Sequence, residues 1–228
     1  MKTETQLNQS DAGMARRAFL RYAGAGVAVA GLAAVGACKK DKNNPNNGLT
    51  DVGSGDIGVL NYAYALEQLE AAFYIQVADT SGNVFNNDEK SLLGEIRDHE
   101  VAHREFFRKA LKDKAIKDLT PDFSAINFGD RTSILTAAKA FEDLGVTAYN
   151  GIAFKITSAD ILTVAGKIVS VEARHAALIS NLINPGSFVN ADQVDLATGL
   201  NKSNGPNAVL AAANMYLKTK VSASSFNF

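Results

Sequence analysis

From about Ile57 onward, apolar positions recur at alternating steps of three and four, the mark of helices that each turn one face to a core. The first such segment runs to about Ala78, and its inward stripe reads Leu60, Ala63, Glu67, Glu70, Tyr74, Val77. A Gly/Asn loop from Ser81 to Asn87 ends it. The second runs from about Asp88 to Lys112 with the stripe Leu93, Ile96, Glu100, His103, Phe107, Ala110. Asp88 is placed to cap it, and Lys109, Lys112 and Lys114 crowd the end where the helix dipole favours cations. The third, Asp130 to Thr157, has the stripe Leu135, Ala138, Glu142, Gly145, Tyr149, Ile152, Ile156. After the Ser158-Ala159 turn, the fourth runs to Asn184 with Ile161, Ala165, Ile168, Glu172, His175, Ile179, Leu182. A shorter fifth helix is expected over Asn207 to Leu217, docking through Val209, Leu210 and Met215.

The connection between the second and third segments, about Asp113 to Gly129, holds Pro121 and the apolar residues Phe123, Ile126 and Phe128. A tight turn there would set the flanking helices antiparallel, whereas this length permits a crossover along a bundle. The expected fold is therefore all-α: a four-helix bundle with a long crossover between helices 2 and 3, plus a short C-terminal helix. Pro45, Pro121, Pro185 and Pro206 all fall between the periodic segments, as that division requires.

Composition narrows the partners. With 228 residues, 46% of them hydrophobic, the chain can bury one sizeable core. The 23 basic and 24 acidic residues leave a net charge of −1, which gives no footprint for nucleic acid or for electrostatic attachment to anionic lipid. One cysteine, Cys38, rules out an internal disulfide.

The N-terminal segment reads as an address. Residues 15–21, Ala-Arg-Arg-Ala-Phe-Leu-Arg, resemble a twin-arginine export signal, and an apolar run from Tyr22 to Ala37 follows. Its end, Val35-Gly36-Ala37-Cys38, resembles a lipobox, in which the cysteine is lipidated and becomes the new N-terminus. The run is short and Ala/Gly-rich for a membrane span. The division that follows is a signal peptide over 1–37, a flexible spacer over 38–55 and one folded domain over 56–228. The protein is expected outside the cytoplasm, periplasmic or at the cell surface, held to the membrane only by lipid on Cys38.

The candidate chemistry lies in the polar residues that interrupt the apolar stripes. Glu100-Val101-Ala102-His103 and Glu172-Ala173-Arg174-His175 are both Glu-x-x-His, and three residues along a helix is one turn up the same face. Two such motifs plus one glutamate from each of two further helices make the ligand set of a two-metal carboxylate site. An internal repeat selects the other glutamates. Leu66-Glu67-Gln68-Leu69 aligns with Phe141-Glu142-Asp143-Leu144, and a tyrosine stands seven residues after each Glu, at Tyr74 and Tyr149. Each Glu is followed, one helix later, by a Glu-x-x-His. Glu70 aligns with Gly145 and so breaks the symmetry, and His99 has no matching position in the other half and reads as a boundary residue. Four converging carboxylates carry −4, which two divalent cations match; unpaired, each would cost several kcal/mol to bury. The plainer alternative is a bundle that keeps these groups protonated or salt-bridged.

On these motifs, residues 57 to 184 resemble the ferritin-like superfamily, and within it exported bacterial ferritin-like proteins related to rubrerythrins and desiccation-related proteins. The resemblance implies that Glu100 and Glu172 bridge two metals, with Glu67 and His103 completing one and Glu142 and His175 the other. Tyr74 and Tyr149 would orient the carboxylates. Glu70 departs from the family pattern, whose additional glutamate lies on the third helix rather than the first, and is expected to be an alternate or redox-dependent ligand. Oxygen and imidazole donors without thiolate suit two Fe ions, or alternatively two Mn ions. The implied activity is oxidation of Fe(II), or reduction of O2 or peroxide, as oxidative-stress protection in the cell envelope. Manganese catalase is the first alternative, and a non-enzymatic stress or desiccation protein with a structural metal site is the second. With Cys38 the only cysteine, no rubredoxin-type domain is present, so peroxide reduction would need an external electron donor.

Overall fold

The computed structural model describes residues 48–226; the export and lipidation readings at Arg16, Arg17 and Cys38 lie outside the described residues. Four long helices form the body: α1 (Gly55–Thr80), α2 (Asn87–Leu111), α3 (Arg131–Ile152) and α4 (Ala159–Ile183). A short α5 (Pro206–Ala213) packs against α1 and α3. Two-residue strands β1 (Thr50–Asp51) and β2 (Val221–Ser222) pair in parallel beside the start of α1.

Polar ties at the two ends fix the helix directions. Arg131, at the start of α3, binds Glu89 at the start of α2 at 2.6 Å and the Leu182 carbonyl near the end of α4 at 2.8 Å. At the other end, the Asp56 carboxylate of α1 accepts from the backbone of Thr157 and Ser158 in the α3–α4 turn. Helices α2 and α3 therefore run parallel, and residues 112–130 cross the length of the bundle to join them. No described helix is long and apolar enough to cross a membrane.

The crossover also explains α1, whose burial exceeds a single stripe. Almost every residue from Gly58 to Tyr74 is buried, because the crossover and the C-terminal segment cover the face that points away from the other helices. Phe73 meets Phe123 at 5.9 Å between ring centroids, Tyr62 meets Phe226, and Phe141 meets Tyr216. The few polar side chains on that face hold the covering backbone. Asn61 binds the carbonyls of Val52 and Lys114 and the Ile116 amide, and Gln68 accepts from the Leu119 amide. The crossover is in turn tied to the C-terminal segment, through Asp122 to Tyr216 and Lys218 to Thr120.

Several sequence expectations are corrected here. The cap of α2 is Asn86 rather than Asp88: Asn86 and Glu89 form a reciprocal capping box, which satisfies two helix-end amides that Asp88 could not reach. Helix α3 ends at Ile152, and only a 3₁₀ turn follows. The fifth helix is shorter than expected, and although Val209 and Leu210 are buried, Met215 is 73% exposed because the chain has turned into a 3₁₀ segment by then. The end of the stretch read as spacer is packed: Thr50 and Asp51 form a strand and Val52 is buried.

Candidate metal centre

Each of the four long helices brings one buried glutamate to the middle of the bundle: Glu67, Glu100, Glu142 and Glu172, all 0% exposed. The two Glu-x-x-His turns place His103 and His175 beside them. His103 Nδ1 lies 3.3 Å from Glu67 Oε2, 3.0 Å from Glu172 Oε1 and 3.8 Å from Glu100 Oε2. His175 Nδ1 lies 3.4 Å from Glu142 Oε2, 2.8 Å from Glu100 Oε1 and 4.0 Å from Glu172 Oε2. The two sets are near mirror images in partners: each histidine meets the lone Glu of its own half, its own i−3 Glu and the Glu-x-x-His glutamate of the other half.

The tyrosines of the repeat cross between halves. Tyr74, on α1, donates to Glu142 Oε1 on α3 at 2.6 Å, and Tyr149, on α3, donates to Glu67 Oε1 on α1 at 2.5 Å. One oxygen of each lone glutamate is thereby committed, and the other is turned to the centre. What remains bare is consistent. Glu67 Oε2, Glu142 Oε2, both oxygens of Glu100 and of Glu172, and the Nδ1 atoms of His103 and His175 are enclosed without a hydrogen bond. They approach one another at ion-pair distance, 2.8 to 4.0 Å, without hydrogen-bond geometry between them. Orphaned buried polar atoms are rare and costly, and eight at one place mark a site shaped for a charged guest.

These atoms fall into two groups, Glu67–Glu100–His103–Glu172 and Glu100–Glu142–Glu172–His175, each with its ligand atoms within 4.8 Å of one another. Glu100 and Glu172 belong to both. The donor set, four oxygens-bearing residues and two imidazoles in two overlapping tetrads, fits a pair of divalent metals.

Charge balance shows how the protein without metal tolerates this cluster. Burial pushes Glu67 upward against its His103 contact, to about 7, and Glu142 is raised mainly by burial as well. Burial and then the neighbouring carboxylates push Glu172 and Glu70 well above the usual range. Burial would raise Glu100 too, but its contacts to His103 and His175 outweigh it and hold it at about 2. Burial would depress the histidines; the surrounding carboxylates overcome it and lift His103 to about 12 and His175 to about 10. Protons thus do the neutralising that a cation would otherwise do.

Two further residues complete the picture. Glu70 is buried, and a Cβ on Gly145 would come within 3.0 Å of its Oε1 and 3.5 Å of Glu172 Oε2. The glycine that matches Glu70 in the repeat is therefore the gap that the Glu70 carboxylate occupies. His99, expected to be a boundary residue, instead places its Nδ1 2.9 Å from Nε2 of His175, with the two rings nearly coplanar at 9°. The signal was available, since His99 and His103 are four apart and share a helix face. Symmetry hid it, because the matching residue is Val171.

A four-helix bundle with an inward carboxylate on every helix and two Glu-x-x-His turns defines a class of carboxylate–histidine bundle proteins. The sequence matches the family model of the ferritin-like domain over residues 55–185, more than half of the chain. The protein belongs to the ferritin-like domain family. A search of curated proteins gives no match.

Proposed function

We propose that this protein holds two metals, iron in the first instance, and uses them to oxidise Fe(II) or to reduce O2 or peroxide. The observation that carries this reading is the set of eight enclosed donor atoms in two groups that share Glu100 and Glu172. In it, Glu67, Glu100, His103 and Glu172 would hold one metal and Glu100, Glu142, Glu172 and His175 the other, with Glu100 and Glu172 shared between them. A carboxylate-bridged pair of redox metals supplies two electrons by cycling between the +2 and +3 states.

The chain's own residues do the rest. Tyr74 and Tyr149 hold the outer carboxylates so that a single oxygen of each faces inward. The apolar packing around the cluster keeps bulk water out, and His103, the more exposed of the two histidines at 14%, marks the side open to small molecules. Glu70, lodged against Gly145 beside Glu172, would be available as an alternate ligand. We place this activity outside the cytoplasm, on a chain tethered through Cys38. The support is the Arg16-Arg17 pattern and the Val35-Gly36-Ala37-Cys38 sequence.

Anaerobic Fe(II) loading followed by O2 tests the reading. Two iron per chain and an O2-dependent optical change are expected. Two manganese per chain with peroxide dismutation would reassign the activity to a catalase. No metal bound, with stability unaltered by Glu100→Ala, would overturn both.

A further inference from the structure

The two halves of the centre repeat each other in ligands and tyrosines, yet the imidazoles are supported differently. His175 turns Nδ1 to Glu100 and Glu142, and its Nε2 lies 2.9 Å from His99 Nδ1 on α2. A histidine that offers Nδ1 to a cation must carry its proton on Nε2, and that N–H needs an acceptor. His99 supplies one. The two rings are nearly coplanar, 9° apart with centroids at 5.2 Å, so the nitrogens meet edge to edge along the hydrogen-bond line, and His99 is otherwise exposed to solvent. The internal repeat places Val171, the residue before Glu172, where His99 stands before Glu100. A valine side chain has no acceptor to offer His103.

We propose that His99 is a positioning residue that makes the two metal positions inequivalent. By fixing the tautomer and ring orientation of His175, it preorganises the position formed with Glu142, which then fills first and binds more tightly. The position formed by Glu67 and His103 lacks that support and is the weaker one, on the partly exposed side of the cluster. A stepwise centre follows: a retained metal at His175 and a more readily exchanged one at His103. This rests on the proposed two-metal reading.

Calorimetric binding of Mn(II) to metal-free full-length protein tests it, because it reads affinity without turnover. The unsubstituted protein is expected to bind two Mn(II) in resolved tight and weak steps. His99→Ala should weaken the tight step by about 10- to 100-fold and leave the weak step unchanged, the range typical for loss of a hydrogen bond behind a ligand. His99→Phe keeps a planar ring beside His175 but offers no acceptor, and should behave like His99→Ala. His99→Gln restores an acceptor and should recover most of the tight step. Circular dichroism of the metal-free variants should match the parent and so separates these effects from misfolding. Wild-type affinities in His99→Ala, equal weakening of both steps, or His99→Phe behaving as the parent would overturn the positioning role while leaving the two-metal reading intact. A parent protein that binds no Mn(II) or Fe(II) would overturn that reading and this inference together.

Discussion

Tyr74 and Tyr149 are the residues whose reach between halves ties the centre together. Tyr74→Phe leaves Glu142 Oε1 without a donor, and Tyr149→Phe does the same to Glu67. Each should cost about 1–3 kcal/mol of stability in the metal-free protein and about tenfold or more in affinity at one metal position. Urea unfolding and metal titration check this, and an unaltered midpoint in both variants would contradict it. The sequence repeat picked out both tyrosines, but not that each serves the opposite half, because sequence spacing orders residues along one helix and says nothing about which neighbour a side chain crosses to. Glu70 and Gly145 show the same limit. Their alignment marked Glu70 as an odd residue, whereas the notch that Gly145 leaves for it exists only once α1 and α3 pack. Gly145→Ala should therefore destabilise the protein by about 1–3 kcal/mol, and Glu70→Ala in the same chain should relieve much of that. Additive losses in the double variant would refute the coupling.

The helices themselves were largely legible from their stripes, and the misreadings fall where local chemistry competes. Helix α2 begins at Asn87 because Asn86 and Glu89 cap each other, so Asn86→Ala should lower stability by about 1 kcal/mol, while Asp88→Ala should have little effect. Thermal melts of the two variants decide it, and a larger loss at Asp88 would contradict the capping assignment. Helix α1 carried a second signal in the run Val59 to Val77, which is apolar on nearly all sides; such a helix is enclosed rather than surface-facing. What encloses it could not be read from its own sequence. The cover is assembled from residues 112–130 and the C-terminal segment, distant stretches joined by isolated backbone pairs such as Pro121 with Leu217. Two-residue strands like β1 and β2 have too few positions for an alternating pattern to register.

For the whole molecule, the central balance is between buried carboxylates and the positive charge that neutralises them. In the metal-free protein, the stabilisation from raising His175 and His103 is full below their ordinary value of 6.5 and is lost as pH rises through about 10 and about 12. Neutral Glu67 acts in the same direction, its contribution present below 4.5 and lost as pH climbs through about 7. Glu100 runs oppositely, contributing above 4.5 and losing that as pH falls through about 2. The metal-free Tm should therefore peak in mildly acidic solution and fall by about pH 9, and bound metal should flatten the alkaline fall by replacing the protons. A metal-free Tm that rises between about pH 6 and pH 9 would contradict the charge balance. The most direct test of the account is elemental analysis of the protein purified without added metal, beside its Glu100→Ala variant. The account predicts two iron, or two manganese, per parent chain and a loss of both in the variant, since Glu100 belongs to both groups of ligands. A metal-free parent whose stability Glu100→Ala leaves unchanged would contradict it.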